Sequence, residues 1–469
     1  MTLWRGWKSP CLGTRNFCVN LKPLKQRLAS LHSDHRRIAQ GAMRVAFFLL
    51  LGKAAGAFKE MAVAYRYGVS DVVDAYQFTM VMANWIPATV VGALSVVLIP
   101  VLVRMRYQSR PSRAHFLGEL QAWIILFGTL FAVALYVAWP WVLELAGREL
   151  SADVRQMSSQ LMLAFAPAAV FTLMTGISAA RLRSHERHIN TLLDSVPAVV
   201  ILVWVMLATT VDGVGPLLWG TLVGYFIQSV WLLKLAARAD GMWGRPRFSF
   251  SAEQWPALVK AAGVMLVGQI AMSFVGPIDQ YTAANLGNNA NATLGYASRL
   301  LSLLLGVGAA SVGRAALPVL ADIQERGDAL RARSTALKWS VLMVAAGVGV
   351  TVVGWVLAPW GVAFLFERGA FTSRDTLIVA DVLRWGMLQL PFYFGVLILV
   401  QLLASQNRYR IMAAIAVANF GVKAILNPVL APVMGPEGIM LATSLMYVSS
   451  YTCYVLVALR KPPPSSAVP

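Results

Sequence analysis

The chain has 469 residues, of which 58% are hydrophobic and only 13% charged, and its 40 Lys and Arg against 21 Asp and Glu give a formal charge of +19. A chain this long, apolar and sparsely charged is not a soluble domain; it is a multi-pass membrane protein. The basic residues fall mostly between apolar runs, so the positive excess reads as orientation in a bilayer rather than nucleic-acid binding.

Residues 1–40 form a basic tail with no apolar core followed by a cleavage site, so they are not a secretory signal and are expected to be a disordered cytoplasmic tail. Met43, at the start of the first apolar run, is a second candidate start. Cys11, Cys18 and Cys453 have neither metal-site nor disulfide spacing. Charges, Gly and Pro divide the remainder into twelve runs of spanning length: 41–69, 72–105, 116–140, 154–181, 190–211, 215–237, 255–285, 290–321, 334–359, 375–405, 410–431 and 437–459. Tryptophans such as Trp139, Trp141 and Trp360 mark run ends, as an aromatic belt does.

The connections alternate in charge. One set carries Arg104, Arg106, Arg110 and Arg113, then Arg181, Arg183 and Arg187, then Lys234, Arg238, Arg245 and Arg247, then Arg326, Arg331 and Arg333, then Arg408 and Arg410, then Arg460 and Lys461. The other set is short and carries Asp71 and Asp74, Glu144 and Glu149, Asp212, Glu367 and Glu437 with few bases. The positive-inside rule therefore predicts both termini in the cytoplasm.

An internal repeat supports a two-part plan. Residues 65–105 resemble residues 283–323, pairing Gly68 with Gly287, Tyr76 with Tyr296 and Pro100 with Pro318, at Gly-to-Pro spacings of 32 and 31. Two six-span halves in one orientation imply a pseudo-two-fold axis along the membrane normal and a V-shaped alternating-access transporter with its site between the halves. The expected parts are an N-terminal lobe at 41–237, a cytoplasmic linker at 238–254, a C-terminal lobe at 255–460 and a short tail at 461–469.

Charges within the spans are the candidate functional residues, because each costs ~2.5–3.5 kcal/mol on insertion scales. Lys53, Gly56 and Glu60 share one face of the first span, with Lys59 at its edge and Arg66 further on. Lys53 lies ~18 Å along the helix from residue 41, where snorkelling to the interface, the plain alternative to a ligand, is hardest. Arg299 sits in GYASRLLSLLLG, and a guanidinium there can fork onto phosphate oxygens. Lys53, Lys59 and Arg299 are thus candidates for an anion cavity, and Glu60, Asp74, Asn84 and Arg314 for its wall or gates. Asp74 has two readings, an N-cap for the second span or an outer gate paired with a cavity base. Asp279, Lys423, Asn427 and Thr443 in the second half form either a packing pair or an ion-coupling site. P-loop, HExxH and GxSxG patterns are absent from the sequence, so neither enzyme nor cofactor is expected.

The run GKAAGAFKEMAVAYRYGVSDVVDAY (52–76) resembles the first-span signature of the MurJ/MviN lipid II flippase family, within the multidrug/oligosaccharidyl-lipid/polysaccharide exporter superfamily. LGYASRLLSLLLGVGAASVGRAALPVL, FLFERGAFTSRDT (364–376) and NPVLAPVMGPEGIMLATSL (427–445) extend the resemblance over about residues 44–458. It implies a monomeric flippase of the bacterial inner membrane that carries an undecaprenyl-pyrophosphate-linked glycan, either lipid II or an exopolysaccharide unit, and works beside cell-envelope glycan synthesis enzymes. By position, Lys53 and Lys59 fall on two family arginines, Arg299 on the arginine of the eighth span, and Asp74 on the acidic residue of the outer turn.

The departures are specific. Pro87 stands where lipid II flippases carry a third cavity arginine, and Val91 falls near the acidic residue that follows it. The family continues for two spans beyond the twelfth. Lys423 puts an ammonium among residues that resemble a sodium site in some members. Three rivals remain: a multidrug/cation antiporter, which needs an acidic cavity, a polysaccharide polymerase or ligase, which needs a large outer loop, and a scaffold that has lost transport.

Overall fold

In the computed structural model, residues 33–460 are described apart from 106–107, 186, 188, 209–212, 244, 257, 260–262, 264–268, 271–272, 326–327 and 407; helix side chains at 33–46, 49, 96, 100, 307–322, 324–325, 329 and 409 are likewise outside the description. Most of the basic tail, with Cys11 and Cys18, and the side chain of Arg314 therefore lie outside the described residues.

The described chain is helical, without a strand. Its helices are α1 (Ser33–Tyr67), α2 (Asp71–Met105), α3 (Arg110–Ala146), α4 (Ala152–Ser184), a short α5 (Asn190–Leu193), α6 (Val196–Leu207), α7 (Gly215–Asp240), α8 (Val275–Ala284), α9 (Ala290–Glu325), α10 (Ala329–Phe366), α11 (Ser373–Met387), α12 (Leu390–Ser405), α13 (Tyr409–Met434) and α14 (Pro436–Leu459). Among the described residues, nine helices or helix pairs are long and apolar enough to cross a membrane. Most expected runs match a helix to within a few residues, because charge and turn residues punctuate the sequence where the chain leaves hydrocarbon. The tenth run breaks into α11 and α12 at Leu388–Gln389, ahead of Pro391, whose ring lacks the donor a continuous helix needs.

Local chemistry fixes several ends. The Ser151 hydroxyl accepts from the Val154 N–H at the start of α4, and Thr372 and Asp375 form a reciprocal capping box at the start of α11. Gly241 closes α7 in the left-handed conformation, φ +67°. Arg66, one of the intramembrane charges, donates from Nη1 to the carbonyls of Val205 (3.0 Å) and Ala208 (2.7 Å), so it caps the end of α6.

The core is divided unequally between the two ends of the molecule. At the end where the acidic loops lie, one continuous cluster runs from α1, α2 and α4 across to α9–α12 and α14, with Phe78, Phe165, Tyr296, Phe371 and Leu383 inside it. At the basic end there are separate clusters. One, around Leu98, Phe116, Ile177 and Leu258, joins α2, α3 and α4 to the segment after α7; another, around Ala332, Leu399, Ile415 and Tyr454, belongs to α10, α12, α13 and α14. Phe127, Leu130, Val133 and Val137 on α3, and Val352, Val356 and Phe364 on α10, point outward as a lipid-facing surface requires.

The segment after α7 is docked rather than loose. Glu119, fully buried on α3, accepts from Ser249 Oγ, from the Ser251 N–H and Oγ (3.0 Å each), from the Ala252 N–H (3.2 Å) and from Trp255 Nε1 (2.6 Å). Gly118 lets it approach, since a Cβ there would lie 2.3 Å from the Arg245 carbonyl oxygen. Trp123 stacks on Phe250 at 4.2 Å.

Candidate functional site

A cavity of about 790 Å³ opens among the helices. Its walls come from α1, α2, α4, α6, α7 and α9 and the end of α10, and it runs from Tyr76 and Phe366 toward Arg183 and Asp194. The described charges on the lining are Lys53, Lys59, Arg183 and Arg299 against Glu60 and Asp194, an excess of positive charge among apolar helices.

α1 supplies three of these groups, Lys53 and, nearly two turns further on, the adjacent Lys59 and Glu60. Glu60, 4% exposed, is the centre: its Oε1 lies 2.7 Å from Lys59 Nζ and 3.0 Å from Arg299 Nε. Its Oε2 has no hydrogen-bond partner among the described residues. Lys59 Nζ also lies 5.5 Å from the centre of the Tyr76 ring, and Arg299 Nη2 lies 3.5 Å from Met80 Sδ. The Arg299 side chain is 41% exposed, so it faces the cavity while one nitrogen is held by Glu60. Lys53 reaches across to α9 and donates to the Ser302 carbonyl at 3.2 Å. Lys53, Lys59, Glu60, Asn84 and Arg299 thus share one cavity, and the lysines and arginine come from two chain regions that face each other. Along α2 the described lining is Tyr76, Met80, Asn84, Ala88, Val91, Gly92 and Ser95, with no cation.

Gly306 on α9 leaves room for the end of the Lys53 side chain. A Cβ there would sit 2.8 Å from both Cε and Nζ of Lys53. Gly306→Val is therefore expected to push the ammonium off its site and weaken inorganic pyrophosphate binding by about tenfold, with the purified protein melting as before; isothermal titration checks it, and unchanged binding removes Lys53 from the anion site.

Asp74 follows neither expectation. It sits within the first turn of α2, after the helix has begun, and its buried carboxylate accepts from the Ala292 N–H (3.0 Å) and Asn291 Nδ2 (3.2 Å) of α9. It caps a helix of the other chain region, and a carboxylate at a helix N-terminus is favoured by unsatisfied N–H groups and the dipole. Nearby, Tyr296 donates its hydroxyl to the Gly68 carbonyl (2.9 Å), and the Ala370 N–H donates to the Tyr65 carbonyl (2.8 Å). Gly68 (φ +58°) and Gly369 (φ +62°) permit this seam; a Cβ at Gly369 would lie 2.2 Å from the Tyr65 oxygen. The FERGAF loop is thereby latched onto the end of α1, and the cavity is shut at the acidic end.

Asp279, Lys423, Asn427 and Thr443 also converge. Lys423, fully buried on α13, has Nζ at 2.8 Å from Asp279 Oδ1 of α8 and 3.0 Å from the Ile439 carbonyl, and it donates to Thr443 Oγ1 of α14. Asn427 Nδ2 donates to Asp279 Oδ1 (2.9 Å) and to Thr282 Oγ1 (3.2 Å). Three oxygens meet the three donors of the ammonium, so its positive charge occupies the centre of the cluster. No group of three or more metal-ligating side chains occurs among the described residues.

Sequence reasoning placed Arg183 among loop bases and did not single out Asp194, Tyr225 or Gln228, all of which line the cavity. Gln228 Nε2 lies 3.4 Å from Asp194 Oδ1. Arg183 and Asp194 flank one short basic-end connection, and two opposite charges bracketing a connection between spans are the only signal that pointed to them.

An all-helical bundle of apolar spans around a charged, one-sided cavity defines a multi-pass membrane transporter. Residues 63–464 match the family model described as lipid II flippase MurJ, and the chain belongs to that family. A probable lipid II flippase MurJ from Synechocystis is 23% identical over 91% of this chain and 82% of its own length. One from Bdellovibrio bacteriovorus is 27% identical over 226 residues, 48% of this chain and 43% of the relative. Among solved structures, a lipid II flippase MurJ in an inward closed conformation superposes with a TM-score of 0.76 at 21% identity, covering 90% of this chain and 88% of that one. An inward-facing multidrug resistance MATE family transporter of the MOP superfamily gives 0.68 at 13% identity over 87% and 93%. These likenesses establish the fold.

Proposed function

We propose that the protein is a flippase that carries a polyprenyl-pyrophosphate-linked glycan across the bacterial cytoplasmic membrane by alternating access. The observation that carries this reading is the cavity itself, where Lys53, Lys59 and Arg299 converge on a space walled by apolar helices. Cations at that depth are costly unless an anion is brought to them, and a pyrophosphate is a compact anion that both ammonium point charges and a guanidinium fork can hold. With the basic connections and both termini in the cytoplasm, the cavity faces inward and the seam of Asp74, Gly68, Tyr296 and Ala370 closes the outer side. Two six-helix lobes, 41–237 and 255–460, rock about that seam. Cargo enters from the cytoplasm, its head held by the three bases, and leaves once the outer latch opens. The chain acts alone in transport, alongside the enzymes that build the glycan.

The MATE likeness raises a cation antiporter as the second reading. The excess of basic groups on the lining disfavours it, since a cationic drug would meet like charge in low dielectric. The glycan is either lipid II or another exported repeat unit, and the lysines at 53 and 59 and Pro87 on α2 leave fewer forked donors than lipid II flippases carry.

Complementation of a strain depleted of its own lipid II flippase tests the proposal. Growth rescued by the wild-type chain and lost with Lys53→Ala at equal expression supports lipid II as cargo. No rescue, with transport of another polyprenyl-linked glycan in vesicles, reassigns the cargo within the class. Absence of both, or normal export by Lys53→Ala, overturns the cavity mechanism.

A further inference from the structure

A space of about 610 Å³ lies between the first turns of α3 and the segment that follows α7, and it shares no described lining residue with the transport cavity. Ser112 and His115 of α3 face Trp243, Arg245 and Arg247 of the segment, and Glu253 is the one carboxylate on the described lining. The two guanidiniums differ in how they are held. Arg247 Nη1 lies 3.4 Å from His115 Nδ1, and His115 Nε2 lies 2.9 Å from the buried Glu119 carboxylate, so a line of contacts positions Arg247 at the rim. Among the described residues Arg245 makes no side-chain hydrogen bond or ion pair, so its forked donors are left for a group outside the chain.

Depth in the membrane selects the ligand. The apolar run of α3 begins at residue 116, directly after His115, so the space stands where hydrocarbon gives way to headgroups. An aromatic strip leads from it into the lipid-facing part of α3. Phe250 stacks on Trp123 at 4.2 Å, Phe248 meets the same ring edge-on at 6.2 Å, and Trp123 stacks on Phe127 at 5.4 Å. Phe127, Phe248 and Phe250 are all more than half exposed. Trp123 and Phe127 follow His115 by ~12 and ~18 Å at 1.5 Å per residue, which spans the half-thickness of a ~30 Å hydrocarbon core. The stretch 245–251 sorts its side chains by alternation: Arg245, Arg247 and Ser251 line the space, whereas Phe248 and Phe250 pack on Trp123. We infer that this space binds the phosphodiester headgroup of an anionic glycerophospholipid from the adjoining leaflet, with an acyl chain lying along Phe248, Trp123 and Phe127. Arg245 and Arg247 fork onto the phosphate oxygens, and the exposed indole of Trp243 sits at the headgroup level that tryptophan favours. A free phosphate would meet the same guanidiniums and leave the aromatic strip unused; a phospholipid engages both. The site stands apart from the transport cavity and does not depend on which cargo that cavity carries. Its occupant would tie the segment after α7 to α3 from the membrane side, opposite the Glu119 clasp.

Photolabelling of the full-length protein in phosphatidylcholine nanodiscs tests the site. A phosphatidylglycerol with a photoreactive acyl chain is expected to label residues around Phe127 and Phe248, and unlabelled phosphatidylglycerol to suppress that labelling. Arg245→Gln with Arg247→Gln should weaken binding about tenfold. Arg245→Gln alone, which breaks no described contact, should weaken it about threefold with unchanged thermal unfolding. Arg331→Gln, a base at the start of α10, should leave it as in the wild type. Equal labelling by a phosphatidylcholine bearing the same group, or wild-type labelling of Arg245→Gln, overturns the inference. Suppression by inorganic phosphate at the same concentration as phosphatidylglycerol also overturns it, by assigning the space to a free anion. Suppression by undecaprenyl pyrophosphate without suppression by phosphatidylglycerol overturns it by assigning the space to cargo.

Discussion

Arg299→Ala is expected to abolish measurable flipping. Charge-assisted hydrogen bonds contribute roughly 1.5–3 kcal/mol each, and a guanidinium that forks onto two phosphate oxygens loses both on truncation, or about 10–100-fold in cargo affinity for each bond. A second effect adds to the first. Glu60 is held by Lys59 at 2.7 Å and by Arg299 at 3.0 Å, and without Arg299 it binds Lys59 alone, taking that ammonium away from the cargo as well. Arg299→Lys should recover part of the activity, whereas Lys53→Arg should be tolerated, since only the former removes a fork. Glu60→Gln combined with Arg299→Ala separates the contributions: it relieves the carboxylate that has lost a partner and restores stability, yet flipping stays lost. Flipping of a fluorescent lipid-linked pyrophosphate in reconstituted vesicles, read beside thermal unfolding, checks the series. Transport by Arg299→Ala above one tenth of wild type would remove it from the anion site.

Lys423→Ala is expected to be the most destabilising single change in the second half. It leaves Asp279 beside Asn427 and Thr282 with no cation, and removing one partner of a buried pair costs about 3–5 kcal/mol. Replacing both, Lys423→Met with Asp279→Asn, should recover most of that loss, because uncharged groups of similar size carry no desolvation penalty. The ammonium also predicts transport that does not depend on sodium, since a fixed positive charge already fills the centre of the cluster. Vesicle assays with sodium exchanged for choline check this, and a clear sodium requirement would show that Lys423 does not stand in for a metal cation.

The sequence was informative wherever a residue was out of place in hydrocarbon. Lys53, Lys59 and Arg299 stood out because charges inside apolar runs have few uses, and the structure brings them to one cavity. The helical membrane architecture was legible for the same reason. What could not be read was pairing between distant positions. Glu60 and Arg299 meet across 239 residues of sequence, and nothing local marks them as partners. Asp74 was misplaced because local chemistry offers an ordinary explanation, an N-cap at the head of its own helix, whereas its hydrogen bonds go to α9. Arg66 carries the same warning in reverse: a base within an apolar run ends on the carbonyls of α6, away from the cavity. Arg183 was hidden among neighbouring arginines, since orientation in the bilayer already accounted for them.

The clasp around Glu119 bears on how the chain is assembled. Glu119 is synthesised 130 residues before Ser249, and its fully buried carboxylate stays without its five described donors until the segment up to Trp255 emerges and folds back over α3. That segment both covers the carboxylate and supplies most of its partners, beside His115 Nε2 at 2.9 Å, so the clasp is complete only once the chain up to Trp255 has been made. The segment up to Trp255 is thus packed onto α3 rather than hanging free after α7. A chain divided near residue 240 would part Glu119 from these donors, and one divided just past Trp255 would keep them together. The stretch after α7 is a closing stitch for the helices that precede it, sewn to α3 through one carboxylate.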